Sequence, residues 1–576
     1  MARPKILLLG VIEHAHEAWE SLSRFADIVT AKSTNRVDFI QECTSGALDG
    51  VTVAYRTFDS SSITGPVDAE LVPYLPSSLR FICHNGAGYD SIDVAACTER
   101  GIHVSNAPTA VDDSTADTGI WLMLGALRNF NASLLNLRKG EWRGGKTTSV
   151  PPLGHDPQGK TLGILGMGGI GRNMAIKARA FDMRILYHNR TRLDAKLERD
   201  LHVEYRSFED LLRESDVLSL NLPLNPATRH IISTPQFEAM KPGVVVVNTA
   251  RGAVIDEAAL VAALDSGHVA SAGLDVFENE PIIHPGLLAN EKVLIVPHMG
   301  TYSIETQTKM EEWTISNAEL YAAIQETKIA RWSKESIHLY FSVFVAFCCA
   351  CANGYDGSLM TAIIAMDHFK NTFHSESVGS KIAVMYSLYT VGSMVAAPFA
   401  AILSERLGRR RAMFIGAIVI ILGAVIVSTS STVAQFVVGR FVLGMGIQVM
   451  TVAAPAYAVE ISPPHWRGFY NTGWFGESIP AAAITFGCNA IDNNYQWRIP
   501  LILQCFACVA VLAVVHLIPE SPRWQMANGR EEQAREFLIK YHGNGDPNSR
   551  LFLLELEEMR HGIRQDGIDK TNFDCE

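Results

Sequence analysis

Two hydrophobic periodicities divide the chain. From Pro4 to about Lys328, short apolar and β-branched runs such as KILLL and VVVVN alternate with stretches of helical period. That alternation argues for parallel-sheet α/β architecture. Beyond Ser336 the pattern becomes apolar runs near 20 residues, long enough to cross a hydrocarbon core of about 30 Å as helices. Six spans are expected, near 339–366, 382–403, 412–430, 433–453, 470–488 and 499–518. The change falls within KIARWSKESIHLYFSVFVAF, Lys328 to Phe347. At the other end, MARPKILLLGVIEHAHEAW holds an apolar run too short for a signal peptide, and charges follow at once. It reads as a first β-strand.

Composition sharpens this picture. At 576 residues the chain is too long for one ordinary domain, and three or more folding units are expected. Its mildly positive mean hydropathy is the average of two unlike regions. A formal net charge of −11, with no long basic run, gives no reason to expect nucleic-acid binding. Ten cysteines are unevenly placed, and none shows paired metal-ligand spacing, so no metal is expected. Cys505 and Cys508 form a lone CxxC inside an apolar run and read as core or lipid-facing thiols. Nothing suggests a disulfide framework, which fits a reducing compartment.

The sharpest local feature is KTLGILGMGGIGRNMAIKARAF. An apolar strand, Leu162 to Leu165, runs into Gly166-x-Gly168-x-x-Gly171, and a helical pattern follows. Glycines there allow a tight turn and let backbone N–H groups, including those of Gly169 and Ile170, approach a pyrophosphate at a helix N-terminus. A bare glycine triplet is weak evidence; the flanking strand and helix strengthen it. The second strand, RILYHNRT, ends where such a fold reads the ribose. An acidic residue there would accept the 2′-hydroxyl of NAD. That place holds His188, Asn189, Arg190 and Thr191, and Asp182 comes too early. With a guanidinium and no carboxylate, NADP(H) is favoured while NAD(H) stays open.

Three downstream stretches complete a site. VVVVNTARGAVID places Arg251 after a strand, GLDVFENEP supplies Asp275 and Glu280, and IVPHMGTYSIET supplies His298. Each alone has a bland reading: a surface ion pair, loop acids, a histidine at a strand end. Behind a dinucleotide motif they fit hydride transfer to a 2-oxo acid. Arginine grips a carboxylate in a bidentate fork and polarises the carbonyl. Histidine can supply the alcohol proton, and a neighbouring carboxylate orients its ring.

With these residues in view, the first 328 residues resemble the D-isomer-specific 2-hydroxyacid dehydrogenases, close to their fungal glyoxylate/hydroxypyruvate reductase and D-mandelate dehydrogenase branch. The resemblance implies that Arg251 binds and polarises substrate, His298 is the acid/base, and Glu280 pairs with it. It implies that Asp275 holds the nicotinamide carboxamide, and that CHNGAGYDSID binds the substrate carboxylate through Ala87 and Gly88. STADTGIWLML, with Thr115, would be the helix crossing between domains beside the cofactor. The implied fold is a flavodoxin-like substrate domain, 1–107 completed by 300–328, and a Rossmann domain, 108–299. Homodimers are usual in the family. The implied substrate is a small 2-oxo or 2-hydroxy acid.

Charge orients the remainder. SERLGRRR, PPHWRG and ESPRW fall on one side of an alternating topology, with Arg331 and Lys334. STSST and AIDNNYQW, on the other, are nearly free of basic residues. Positive-inside logic puts the basic side, and the dehydrogenase region joined to it, in the cytoplasm. Asp356 and Arg440 lie inside spans, and Glu477 is a third ionisable residue there; intramembrane charges are either functional or structural ion pairs. GYDGSLM, SERLGRR, GRFVLGMG, PAYAVEISPPHWRG, QWRIPLILQ and PESPRW resemble the sugar porter branch of the major facilitator superfamily. That resemblance implies a proton-coupling pair, Asp356 and Arg440. It also implies a cytoplasmic gating network of Glu405, Arg406, Arg409, Arg410, Glu460, Arg467, Glu520 and Arg523. Ala401 stands where the loop motif usually has glycine.

Such transporters have two six-helix halves with substrate between them, and residues 336–576 match only the first, so transport by this chain alone is not expected. No Gly/Ser- or Pro-rich linker fills the junction, 329–335. Two neighbouring genes read as one is the favoured account of it; a bifunctional membrane-anchored reductase and transporter is the alternative. A cofactor-binding sensor without catalysis is a third reading, opposed by the presence of Arg251, Glu280 and His298.

Overall fold

The computed structural model describes residues 3–142, 153–327, 332–374, 380–467 and 478–565. They form two compact units, Met1–Ala322 and Ala323–Glu576. The division falls near the end of the helix Ile304–Glu326, a few residues before the expected junction at 329–335, of which 329–331 lie outside the described residues.

The first unit contains two parallel sheets. One is built from β1 (Lys5–Leu9), β2 (Asp27–Thr30), β3 (Val51–Thr57), β4 (Phe81–Asn85) and β5 (His103–Ser105), in the order β2-β1-β3-β4-β5. That is the flavodoxin-like order. The helix Ile304–Glu326 returns to this sheet, burying Ile315, Ala318 and Ala322 among Ile6, Tyr55 and Phe81. Glu311 on the same helix accepts the backbone N–H groups of Glu13, His14 and Ala15 and so fixes the loop after β1.

The second sheet holds β6 (Thr161–Leu165), β7 (Arg184–His188), β8 (Glu204–Tyr205), β9 (Val217–Leu220), β10 (Val244–Asn248), β11 (Val269–Leu274) and β12 (Val293–Ile295). Its order, β12-β11-β10-β9-β6-β7-β8, reverses direction between β6 and β9. A doubly wound sheet leaves a crevice at that switch point. Every residue of VVVVN in β10 is buried, as a strand covered on both faces requires. The helix Asp112–Leu127 packs across β10 and β11, with Ala116, Leu122 and Met123 buried in the core.

The second unit is helical. Among the described residues, four segments are long and apolar enough to cross a membrane: Lys381–Leu407, Arg409–Ser428, Val433–Ile461 and Tyr495–Val514. The expected span 339–366 falls on the helix Lys334–Ala365, part of whose side chains lie outside the described residues. Of 470–488 only the helix Ser478–Cys488 is described. Glycines bring the third and fourth expected spans together: Gly423 faces the Leu443 backbone and Gly446 faces Gly416. Close backbone approach through small residues is how helices gain contact where lipid removes the hydrophobic drive.

Candidate active site

The dinucleotide turn leaves the end of β6 at the switch point. Gly166 takes φ +102°, a left-handed conformation that side chains rarely adopt. Gly168 caps the helix Gly169–Arg179, and the space where a Gly168 side chain would stand is open to 4 Å. An open turn at a helix N-terminus suits a dinucleotide pyrophosphate. Asn189, just past β7, accepts the Met167 N–H at 2.7 Å and braces the turn. Arg190 and Thr191 beyond it are exposed, and Arg190 is in no ion pair among the described residues. Arg192, by contrast, is committed to Glu198 at 2.8 Å. Asp182 lies in the turn before β7, with φ +52°.

Arg251, Asp275, Glu280 and His298 all line one cavity of about 950 Å³, together with Ala87, Gly88, Thr115 and Ile170. Strand ends put them there. Asn248 closes β10 and ties the next turn, its amide donating to the Arg251 carbonyl and its oxygen accepting from Ala250 N–H, both at 3.0 Å. Arg251 Nε donates to Asp90 at 2.8 Å and Nη1 to the Ala250 carbonyl at 2.7 Å. A side chain at residue 88 would collide with Arg251 Nη2, so glycine is what lets the guanidinium lie against that loop.

Asp275 ends β11. Its carboxylate accepts the N–H groups of Met299 and Gly300, and its carbonyl accepts that of His298. Burial lifts the Asp275 carboxyl above its ordinary value, and these N–H groups offset part of the rise. The His298 backbone, at φ +55°, is held in the left-handed region. Its Nδ1 pairs with Glu280 at 2.9 Å. Glu280 in turn accepts the Phe277 N–H at 2.9 Å. Burial opposes ionisation of Glu280, but the hydrogen bond and charge of His298 outweigh it and hold the carboxyl low. Thr115 is buried on the helix Asp112–Leu127, beside Gly300.

Several cleft residues were not singled out from sequence. Phe58 and Tyr302 are 60% and 74% exposed at the cavity wall, and the Phe58 ring lies 6.0 Å from that of His298. Asp112 brings its carboxylate against Gly169, where burial and Asp113 raise its pKa. Arg56 and His84 are buried beneath the loop that carries Ala87 and Gly88. A charged residue inside VTVAYRT, and a histidine inside FICHN, were the available signals.

In the second unit, Arg409 forks onto Glu460 at 3.0–3.1 Å, and Glu520 accepts the Arg410 N–H. Arg467 reaches Glu555 at 3.2 Å, a partner the sequence reading missed. Glu405 contributes its carbonyl to Trp524, while Arg406 is exposed; Arg523 has a partner of its own. Arg440 is buried, 4.8 Å from the Tyr389 ring centre. The Asp356 side chain and Glu477 lie outside the described residues.

Two parallel sheets with a glycine turn at one switch point and an arginine opposite a histidine–glutamate pair place the first unit among the nicotinamide-dependent oxidoreductases. Comparison with known proteins narrows this. Residues 120–300 match the D-isomer specific 2-hydroxyacid dehydrogenase NAD-binding domain, and residues 342–573 match the sugar (and other) transporter family. The chain is 56% identical over 326 residues to 4-methyl-2-oxopentanoate reductase A of Aspergillus oryzae, covering 57% of this chain and 96% of that one. It resembles the crystal structure of a glyoxylate reductase from Paecilomyes thermophila, with 52% identity, TM-score 0.53, and 57% and 98% of the two chains covered. The holo D-mandelate dehydrogenase of Rhodotorula graminis aligns with 33% identity, TM-score 0.52, and 55% and 94% coverage. The chain belongs to the D-isomer-specific 2-hydroxyacid dehydrogenases, with a sugar-transporter domain following the enzyme.

Proposed function

We propose that the first unit reduces a small 2-oxo acid to the D-2-hydroxy acid with NADPH. The observation that carries this reading is the His298–Glu280 pair at 2.9 Å in the same cavity as Arg251 and the Ala87–Gly88 loop. A nicotinamide cofactor held by the Gly166–Gly171 turn and Thr115 would supply the hydride. The substrate carboxylate is taken by the N–H groups of Ala87 and Gly88 and by the Arg251 fork. Arg251 also draws electron density from the 2-oxo group, and His298 gives its proton to the oxygen as the carbonyl carbon is reduced. Glu280 holds the imidazole by Nδ1, keeping the other ring nitrogen for the substrate. Asp275 holds the turn that carries His298 and is the proposed acceptor for the carboxamide. Arg190, exposed past β7, is the proposed partner of the 2′-phosphate.

Val11 and the rings of Phe58 and Tyr302 are among the residues lining the cavity. They favour a substrate with a branched or aromatic side chain over glyoxylate, in keeping with the name of the Aspergillus relative. The full chain, solubilised in mild detergent, should oxidise NADPH with glyoxylate and, with higher kcat/KM, with 4-methyl-2-oxopentanoate. His298→Asn should lose roughly 10²–10⁴-fold in kcat. Turnover unchanged in that variant across a panel of 2-oxo acids would sink the mechanism. Cofactor binding without turnover in the unmodified chain would favour a sensor instead.

A further inference from the structure

Arg56 is fully buried, yet no carboxylate pairs with it among the described residues. Its Nη1 lies 3.2 Å from His84 Nδ1 and donates to Ser91 Oγ at 3.2 Å, while Nη2 donates to Ser61 Oγ at 3.0 Å. Nε is buried without a partner. A lone buried cation is costly unless something nearby offsets it. Arg56 and His84 are register partners at the carboxyl ends of β3 and β4, which is where the loop carrying Ala87 and Gly88 begins. His84 and Ser91 stand at the two ends of that loop, so the Arg56 guanidinium ties both to one rigid fork.

The tautomer follows from the partners. His84 Nε2 lies 3.0 Å from the Gly88 carbonyl, which can only accept, so Nε2 carries the hydrogen. Nδ1 then offers its lone pair to Arg56, whose guanidinium can only donate. Burial and the Arg56 charge push the His84 pKa down to about 4, consistent with a neutral ring.

We infer that Arg56 and His84 are positioning residues that anchor the far end of the loop presenting the Ala87 and Gly88 N–H groups to the substrate carboxylate. His84 pins the Gly88–Tyr89 peptide through the Gly88 carbonyl, while Asn106 donates to the Ala87 carbonyl at 2.7 Å and the Ala107 N–H to that of Gly86 at 3.0 Å. His84 thus completes the hold on a loop whose other two peptides are already fixed. The buried guanidinium adds a fixed positive potential under the same spot, beyond that of Arg251. The inference rests on the proposed carboxylate-binding role of Ala87 and Gly88.

The test compares a charged substrate with its neutral counterpart in the full chain. For His84→Ala, kcat/KM for 4-methyl-2-oxopentanoate should fall at least tenfold, mainly through KM, while that for its methyl ester changes less than threefold. His84→Gln keeps a donor for Gly88 and an acceptor for Arg56, and should restore most of the loss. Arg56→Met should behave like His84→Ala, and NADPH affinity should stay within twofold throughout. Equal losses for acid and ester, or no loss for either, would overturn the inference. If His84→Ala or Arg56→Met fails to bind NADPH, Arg56→Lys and His84→Gln decide by the same acid-to-ester ratio, with Arg56→Lys expected to lower it. An unmodified chain that reduces neither compound refutes the proposed function itself, which separates the two failures.

Discussion

His298 sits at φ +55° because Asp275 grips the following two peptide N–H groups and its carbonyl takes that of His298. A non-glycine residue in that region persists only when its surroundings over-determine it, which is common at working sites. Arg251, Asp275, Glu280 and His298, which meet in one cavity, were singled out in the sequence because hydride transfer to an oxo acid calls for few residue types. The bent turn was not, since it is a consequence of Asp275 reaching across from β11. Arg251→Ala should lower kcat and raise KM together, for a combined loss on the order of 10²–10⁴-fold in kcat/KM, because recognition and polarisation leave with the same fork. Steady-state kinetics that moved only KM would remove Arg251 from the chemical step. His84 gives a prediction in pH. Its folded pKa, about 4, lies below the ordinary 6.5, so between those values the unfolded chain binds a proton that the folded one refuses. Stability therefore falls on acidification through that window, by up to roughly 3 kcal/mol, and is independent of His84 above it. Melting followed from pH 7 to pH 4.5 should show a shallower acid decline in His84→Gln than in the unmodified chain. Parallel curves would contradict a His84 ring kept neutral by burial and by Arg56.

Elements were legible where period and punctuation agree. β6, β7 and β10 are continuous apolar runs ended by glycine or polar residues, and each falls where the pattern put it. The two-residue β8 and three-residue β5 are too short to carry any period; only pairing with β7 and β4 defines them. The end of β7 carries the cofactor prediction. Asn189 is spent on the Met167 N–H and Arg192 on Glu198, which leaves Arg190 as an exposed cation there with no ion pair among the described residues. Replacing Arg190 with glutamine should raise the KM for NADPH about tenfold or more while leaving that for NADH within twofold, because only the former carries a 2′-phosphate. Equal changes for both cofactors would mean that Arg190 does not meet that phosphate.

At the scale of the whole chain, the sequence separates two regimes that the structure also separates, though the compact units divide near Ala322 rather than beyond Lys328. The helix Ile304–Glu326 explains the shift. Its earlier turns pack on the first sheet, burying Ile315, Ala318 and Ala322, and its last turn runs past that core. Apolar periodicity marks the helix but not where its packing ends. Four apolar spans follow among the described residues, and a chain that inserts several such helices leaves a bilayer only when the bilayer is dissolved. If both families are carried by one chain in the cell, reductase activity should pellet with membranes, resist high-salt and carbonate washing, and enter solution only with detergent. With the basic connections Arg409–Arg411 and Arg467 on the cytoplasmic side, as positive-inside logic expects, protease added to sealed vesicles with that face outward should abolish it. An antibody to the dehydrogenase unit would see one full-length membrane band. A soluble band near the size of residues 1–328, carrying all the activity, would instead establish two separate gene products.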